Sequence, residues 1–98
     1  MVKQIKCDDP RLKGQIRQML NFHLSAIDEL VDKLEMRVVH TEGGGGSPLY
    51  HCRVVVTDPR HGRLAVEERQ ADVTLTVNRA LTRIVRGLVR RQRSRHSI

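Results

Sequence analysis

The sequence predicts a single α+β domain over residues 1–98, ordered β-α-β-β-β-α, with a four-stranded sheet and two helices packed on one of its faces. Two stretches repeat apolar residues every three to four positions, the period of a helix with one buried side. Four short runs alternate apolar and polar residues, the period of a half-buried strand. A chain of 98 residues supplies interior for one core only.

Residues 2–7, VKQIKC, read as the first strand, with Ile5 and Cys7 on one side. Asp8, Asp9 and Pro10 then supply a cap and a proline suited to a helix start. From residue 11 to about 30, Leu12, Ile16, Leu20, Leu24, Ile27 and Val31 mark an amphipathic helix. A break near Asp32 leads into LEMRVVHT, where Leu34, Met36 and Val38 alternate. The glycine-rich loop at 42–48 follows, and then LYHCRVVVT, with Tyr50, Cys52, Val54 and Val56 on one face. The turn DPRHG at 58–62 precedes RLAVEER, which turns Leu64 and Val66 inward. These three strands form an antiparallel meander. From Asp72, a cap or first-turn acid, the last helix shows Val73, Val77, Ala80, Leu81, Ile84 and Leu88 on one face.

The charge is large and uneven. A net charge of +7 and a pI near 10.4 call for an anionic partner. The acids end at Asp72, and from residue 79 onward there are seven arginines and no Asp or Glu. Turning about 100° per residue, Arg79, Arg83, Arg86, Arg90 and Arg93 fall within an arc of about 80°, opposite the apolar face. Solvated helix faces usually mix signs, and like charges four apart cost a few tenths of a kcal/mol each. This one-sign row is therefore expected to bind phosphate, for which the arginine fork is well shaped. Arg91 sits beside the row. Arg11, Lys13, Arg17 and Lys33 are expected to extend the patch where the two helices lie side by side.

Other chemistries are not supported. Phe22 and Tyr50 are the only aromatic residues, too few to stack on unpaired bases. The least polar run, residues 19–27, is too short to span a bilayer, and no leader sequence is expected. Cys7 and Cys52 read as reduced core thiols of a cytoplasmic protein. His23, His40, His51, His61 and His96 follow no metal-ligand spacing, and His51 and Cys52 point to opposite faces of a strand. Glu67 and Glu68 diverge in the same way, so no catalytic pair is formed and no enzyme is expected. The run from Gly43 to Gly46 lacks the Gly-Lys-Ser/Thr of a phosphate loop. It reads as a flexible hairpin connection, although its composition is also that of a synthetic linker. No cofactor, metal or small-molecule substrate is implied.

The stretch LYHCRVVVTDPRHGRLAVEERQADVTLTVNRALTRIVRGLVRRQR, residues 49–93, resembles the ribosome hibernation-promoting and ribosome-associated inhibitor proteins, formerly called sigma-54 modulation proteins. That family has a strand of the form LYHxR, a turn, a strand preceded by Gly, and a helix of the form DVYxAIxxAxDxxxRQLxxxxRR. Here Asp72-Val73, Val77, Ala80, Arg86-Gly87-Leu88 and Arg90-Arg91 fill the corresponding places. The N-terminal half agrees in outline, down to MRVV. Thr74 stands where the family usually has an aromatic residue, and the loop between the strands is unusually rich in glycine. The resemblance implies a fold similar to a double-stranded RNA-binding domain. It also implies binding to the rRNA of the small ribosomal subunit in the decoding channel, where such proteins obstruct mRNA and tRNA and keep idle ribosomes intact. With no further domain expected, the chain resembles the short form. Two alternatives stand beside this reading: a general double-stranded RNA or nucleic-acid binder, and a protein-interaction modulator whose arginines only solubilise it.

Overall fold

In the computed structural model, β1 (Val2–Cys7), β2 (Lys33–Glu42), β3 (Pro48–Asp58) and β4 (Gly62–Gln70) make one sheet in the spatial order β1-β2-β3-β4. The structure describes residues 2–25, 28–42, 44–60 and 62–96, with side chains up to residue 91. The chain pairs β1 with β2 in parallel, and β2 with β3 and β3 with β4 antiparallel. The expected meander is therefore present, with a parallel edge strand added through the helical crossover that such a pair requires.

Alternation in the sequence fixes the two faces of the sheet. Ile5, Leu34, Met36, Val38, Cys52, Val54, Val56 and Val66 point to one side and are buried. α1 (Lys13–Leu24) and α2 (Val73–His96) cover that side. α1 contributes Ile16, Leu20 and Leu24, and α2 contributes Val77, Ala80, Leu81, Ile84 and Leu88. The opposite side of the sheet carries neither helix and is called the open face below.

The first helix is shorter than its periodicity predicts. Asp9 accepts a hydrogen bond from the Arg11 amide at 3.0 Å and caps a 3₁₀ turn, Pro10–Leu12, so the α-helix starts at Lys13 rather than at residue 11. It stops at Leu24, and Asp28–Leu30 is a separate 3₁₀ turn. Asp28 and Glu29 are thus not on α1. Val31 is buried as expected, while Ile27 lies outside the described residues. Asp72 caps α2: its carboxylate accepts from the Leu75 amide at 2.9 Å, and its carbonyl accepts from the Thr76 hydroxyl at 2.6 Å.

The glycine-rich segment closes the β2–β3 hairpin, where Glu42 pairs with Pro48. Gly45 and Gly46 both have φ +77°, a left-handed conformation that side chains with a Cβ rarely adopt. A strand rather than a helix follows, so the segment offers no helix N-terminus to a phosphate.

Cys7 is half-buried and Cys52 fully buried, and both are free thiols. Burial, with a smaller contribution from nearby Glu68, pushes the Cys52 thiol from 9.0 up to about 12. Folding therefore holds a proton that the unfolded chain releases, and Cys52 destabilises the fold as pH rises from about 9 toward 12. In urea melts across that range, wild type is expected to lose more stability with pH than Cys52→Ala does. Parallel pH profiles for the two would contradict the assignment.

Candidate nucleic-acid interface

α2 runs back along β4 in the opposite direction, as contacts with the strand show. Arg83 reaches Glu67 and Glu68, Gly87 faces Leu64, and Arg91 reaches the Arg63 carbonyl at 3.0 Å. A Cβ on Gly87 would come within 2.6 Å of Leu64 Cδ2, so glycine at this position lets the helix settle closely on the strand.

This docking turns most of the arginine row outward. Arg79, Arg86 and Arg90 are exposed. Arg86 and Arg90, one helical turn apart, flank a shallow depression formed with half-buried Val85 and Val89. Among the described residues no acid pairs with any of these three arginines, and a one-sign row like this concentrates positive potential.

Arg83 behaves differently. It leans toward β4, where its guanidinium pairs with the Glu68 carboxylate at 2.8 Å and donates to the Glu67 carbonyl at 3.0 Å. Glu68 projects to the helix-covered side of the sheet and is only 16 % exposed, so Arg83 compensates a largely buried acid. Placing Arg83 in the outward row on periodicity alone missed this partner. Arg91 is half-buried and bound to backbone, off the row, and the side chain of Arg93 lies outside the described residues.

The cations expected to extend the patch do not join it. The helices do lie side by side: Gln15 Nε2 donates to Thr74 Oγ1 at 3.1 Å, and His23 meets Asn78 at 2.9 Å. Lys13 and Arg17 are each two residues from Gln15, a rotation of about 200°, and so lie on the flank of α1 away from α2. On that same flank, Asn21 accepts from Lys3 of β1 at 3.0 Å. Arg11 is exposed but folds back on Asp9, at 3.2 and 3.3 Å, and the pair holds the Asp9 carboxyl below its ordinary range. Lys33 is on the open face, paired with Glu35 at 3.0 Å, on the far side of the sheet from both helices.

The sequence reading also missed a second basic surface. Lys6, Arg37, Arg53, Arg63 and Arg69 all project from the open face beside Lys33. Their signal was the polar half of each alternating strand. Seeing them as one surface requires the register between strands.

Among the described residues no three His, Cys, Asp or Glu side chains gather as a metal site would require. No helix of the described residues is long and apolar enough to cross a membrane.

The chain matches no protein-family model and no curated protein. Solved structures do match it. A ribosomal subunit interface protein from Coxiella burnetii superposes with a TM-score of 0.74 at 11 % identity, covering 94 % of this chain and 98 % of that one. The N-terminal domain of Thermus thermophilus protein Y superposes with a TM-score of 0.63 at 26 % identity, covering 92 % and 98 %. Both neighbours belong to the hibernation-promoting factor family, and the resemblance to that family, first read from residues 49–93, extends in three dimensions over nearly the whole chain.

Proposed function

We propose that this domain is a cytoplasmic ribosome-associated factor that binds small-subunit rRNA in the decoding channel and silences translation, without enzymatic activity. The observation that carries this reading is the outward row of Arg79, Arg86 and Arg90, presented on a fold shared with a ribosomal subunit interface protein and with protein Y. Backbone phosphates need only such cations, and the scarcity of aromatic residues argues against base stacking.

The test is sedimentation through sucrose with separated ribosomal subunits. The protein is expected to travel with the small subunit, to be released by salt, and to be displaced by P-site tRNA. Simultaneous stoichiometric binding of tRNA would rule out the decoding channel. Equal binding to any RNA duplex would identify a general double-stranded RNA binder, and protein remaining free of both would favour an interaction modulator.

A further inference from the structure

The register of the sheet aligns three cations in one row across the open face. Lys6 of β1 lies beside Arg37 of β2, and Arg37 lies opposite Arg53 of β3. Neighbouring strands are about 4.8 Å apart, so the row spans roughly 10 Å. Like charges directly opposite one another destabilise a sheet. Only at the β4 end does an acid appear, where Glu67 lies opposite Arg53 with 3.7 Å between carboxylate and guanidinium. Lys33 and Arg63 lie on one side of the row and Arg69 on the other, so the face carries six cations against Glu35 and Glu67, with Asp8 beside Lys6 and Arg37 at the end of β1. Lys6, Arg37, Arg53 and Arg63 line a depression of about 190 Å³. Lys33 first, with Arg63 and Lys6 contributing, keeps the Glu35 carboxyl below its ordinary range, and the cations of the face still outnumber its acids.

We propose that this open face is a second phosphate-backbone site, so that the domain grips two RNA segments at once, one against α2 and one against the sheet. The inference deepens the RNA-binding reading above and rests on it. The face is shallow and has no Phe, Tyr or Trp. Between its cations stand Gln4, Val39, His51, Val55, Thr57 and Ala65. The apolar residues of this face, Val2, Val39, Leu49, Val55 and Ala65, are all aliphatic, whereas a protein partner is usually held by aromatic anchors. A phosphate backbone needs only spaced cations, and arginines can hold its oxygens in pairs. The cations cross the full width of the sheet and continue beyond the depression to Arg69, which suits a strand better than a small anion.

The test counts duplexes. A rigid A-form RNA duplex of about eight base pairs, roughly 22 Å long, cannot bend around a body 24 Å across to reach both sides. Titrated at low salt, wild type is expected to bind two such duplexes per chain. Arg37→Gln with Arg53→Gln should remove one and leave the other within about twofold of its wild-type affinity. Arg79→Gln, Arg86→Gln and Arg90→Gln together should remove the other, and the combined variant should bind none. Thermal melts guard against misfolding, and the sheet variant should melt close to wild type, because relief of the opposed like charges offsets loss of the exposed Arg53–Glu67 ion pair. One duplex on wild type, lost only in the helix variant, overturns the second site and leaves the function proposed above intact. One duplex lost only in the sheet variant overturns the role of α2 instead. Occupation of the sheet face by polyglutamate and not by duplex would identify an acidic protein partner and overturn the proposal.

Discussion

Ile84→Ala is expected to remove about 2–5 kcal/mol of stability, among the largest losses available to a single substitution in this chain. Ile84 is fully buried in the middle of α2, on the face packed against β3 and β4. Truncation removes its transfer free energy and leaves a cavity that neighbours cannot readily fill, since Leu81, Val54 and Val66 are themselves fixed in the core. Domains of this size usually have only about 5–15 kcal/mol in total. A loss of that size lowers the melting temperature by about 10–30 °C. Leu81→Ala, also fully buried, should behave alike. Val85→Ala, on a half-buried position of the same helix, should cost clearly less. A drop below about 1 kcal/mol at Ile84 would mean that the helix is not held by this apolar face.

The same periodicity that identifies Ile84 made most of the fold legible. Strand order and helix positions follow from where apolar residues recur, and the structure shifts boundaries by only a few residues at most ends. The first helix was the exception, and the reason is local. Pro10 and the Asp9 cap favour a 3₁₀ turn, which delays the α-helix to Lys13 even though Leu12 continues the apolar pattern. The helix likewise stops at Leu24 while apolar spacing runs on to Val31 through a separate 3₁₀ turn.

The candidate surface was legible only in part. A helical wheel gives each side chain's direction about one axis, and this sufficed for Arg79, Arg86 and Arg90. It says nothing about which strand passes beside the helix, and that is what takes Arg83 out of the row. Glu68 projects toward α2 because the β4 alternation places it on the side of Leu64 and Val66, and the antiparallel docking of helix on strand brings Arg83 within reach. Lys13 and Arg17 show the same limit, since their side of α1 is set by which residues touch α2. Alignment of Lys6, Arg37 and Arg53 likewise depends on pairing between residues far apart in sequence.

These distinctions separate fold from function within α2. Changing Arg79, Arg86 and Arg90 together to glutamate is expected to leave the melt close to wild type. All three are exposed, and such surface changes usually alter stability by under about 0.5 kcal/mol each. The like-charge pair of Arg79 with Arg83 becomes an attractive one, worth a few tenths of a kcal/mol, while Arg86 and Arg90 exchange one like-charge pair for another. Binding to the small subunit should nevertheless fall by at least about 100-fold, because three phosphate contacts become three repulsions, and the log–log salt slope should shrink by roughly 2–3. Arg83→Glu should do the reverse. It sets a second carboxylate beside Glu68, which is 16 % exposed, and removes the hydrogen bond to the Glu67 carbonyl. Because Arg83 itself is 56 % exposed, solvent screens part of the loss, and a cost of about 1–2 kcal/mol is expected. Rescue by Glu68→Gln in the Arg83→Glu background would confirm that the pair is structural. Thermal melts and co-sedimentation on this set decide the matter. A triple variant that melts normally and binds as tightly as wild type would reduce the arginine row to a solvated helix face.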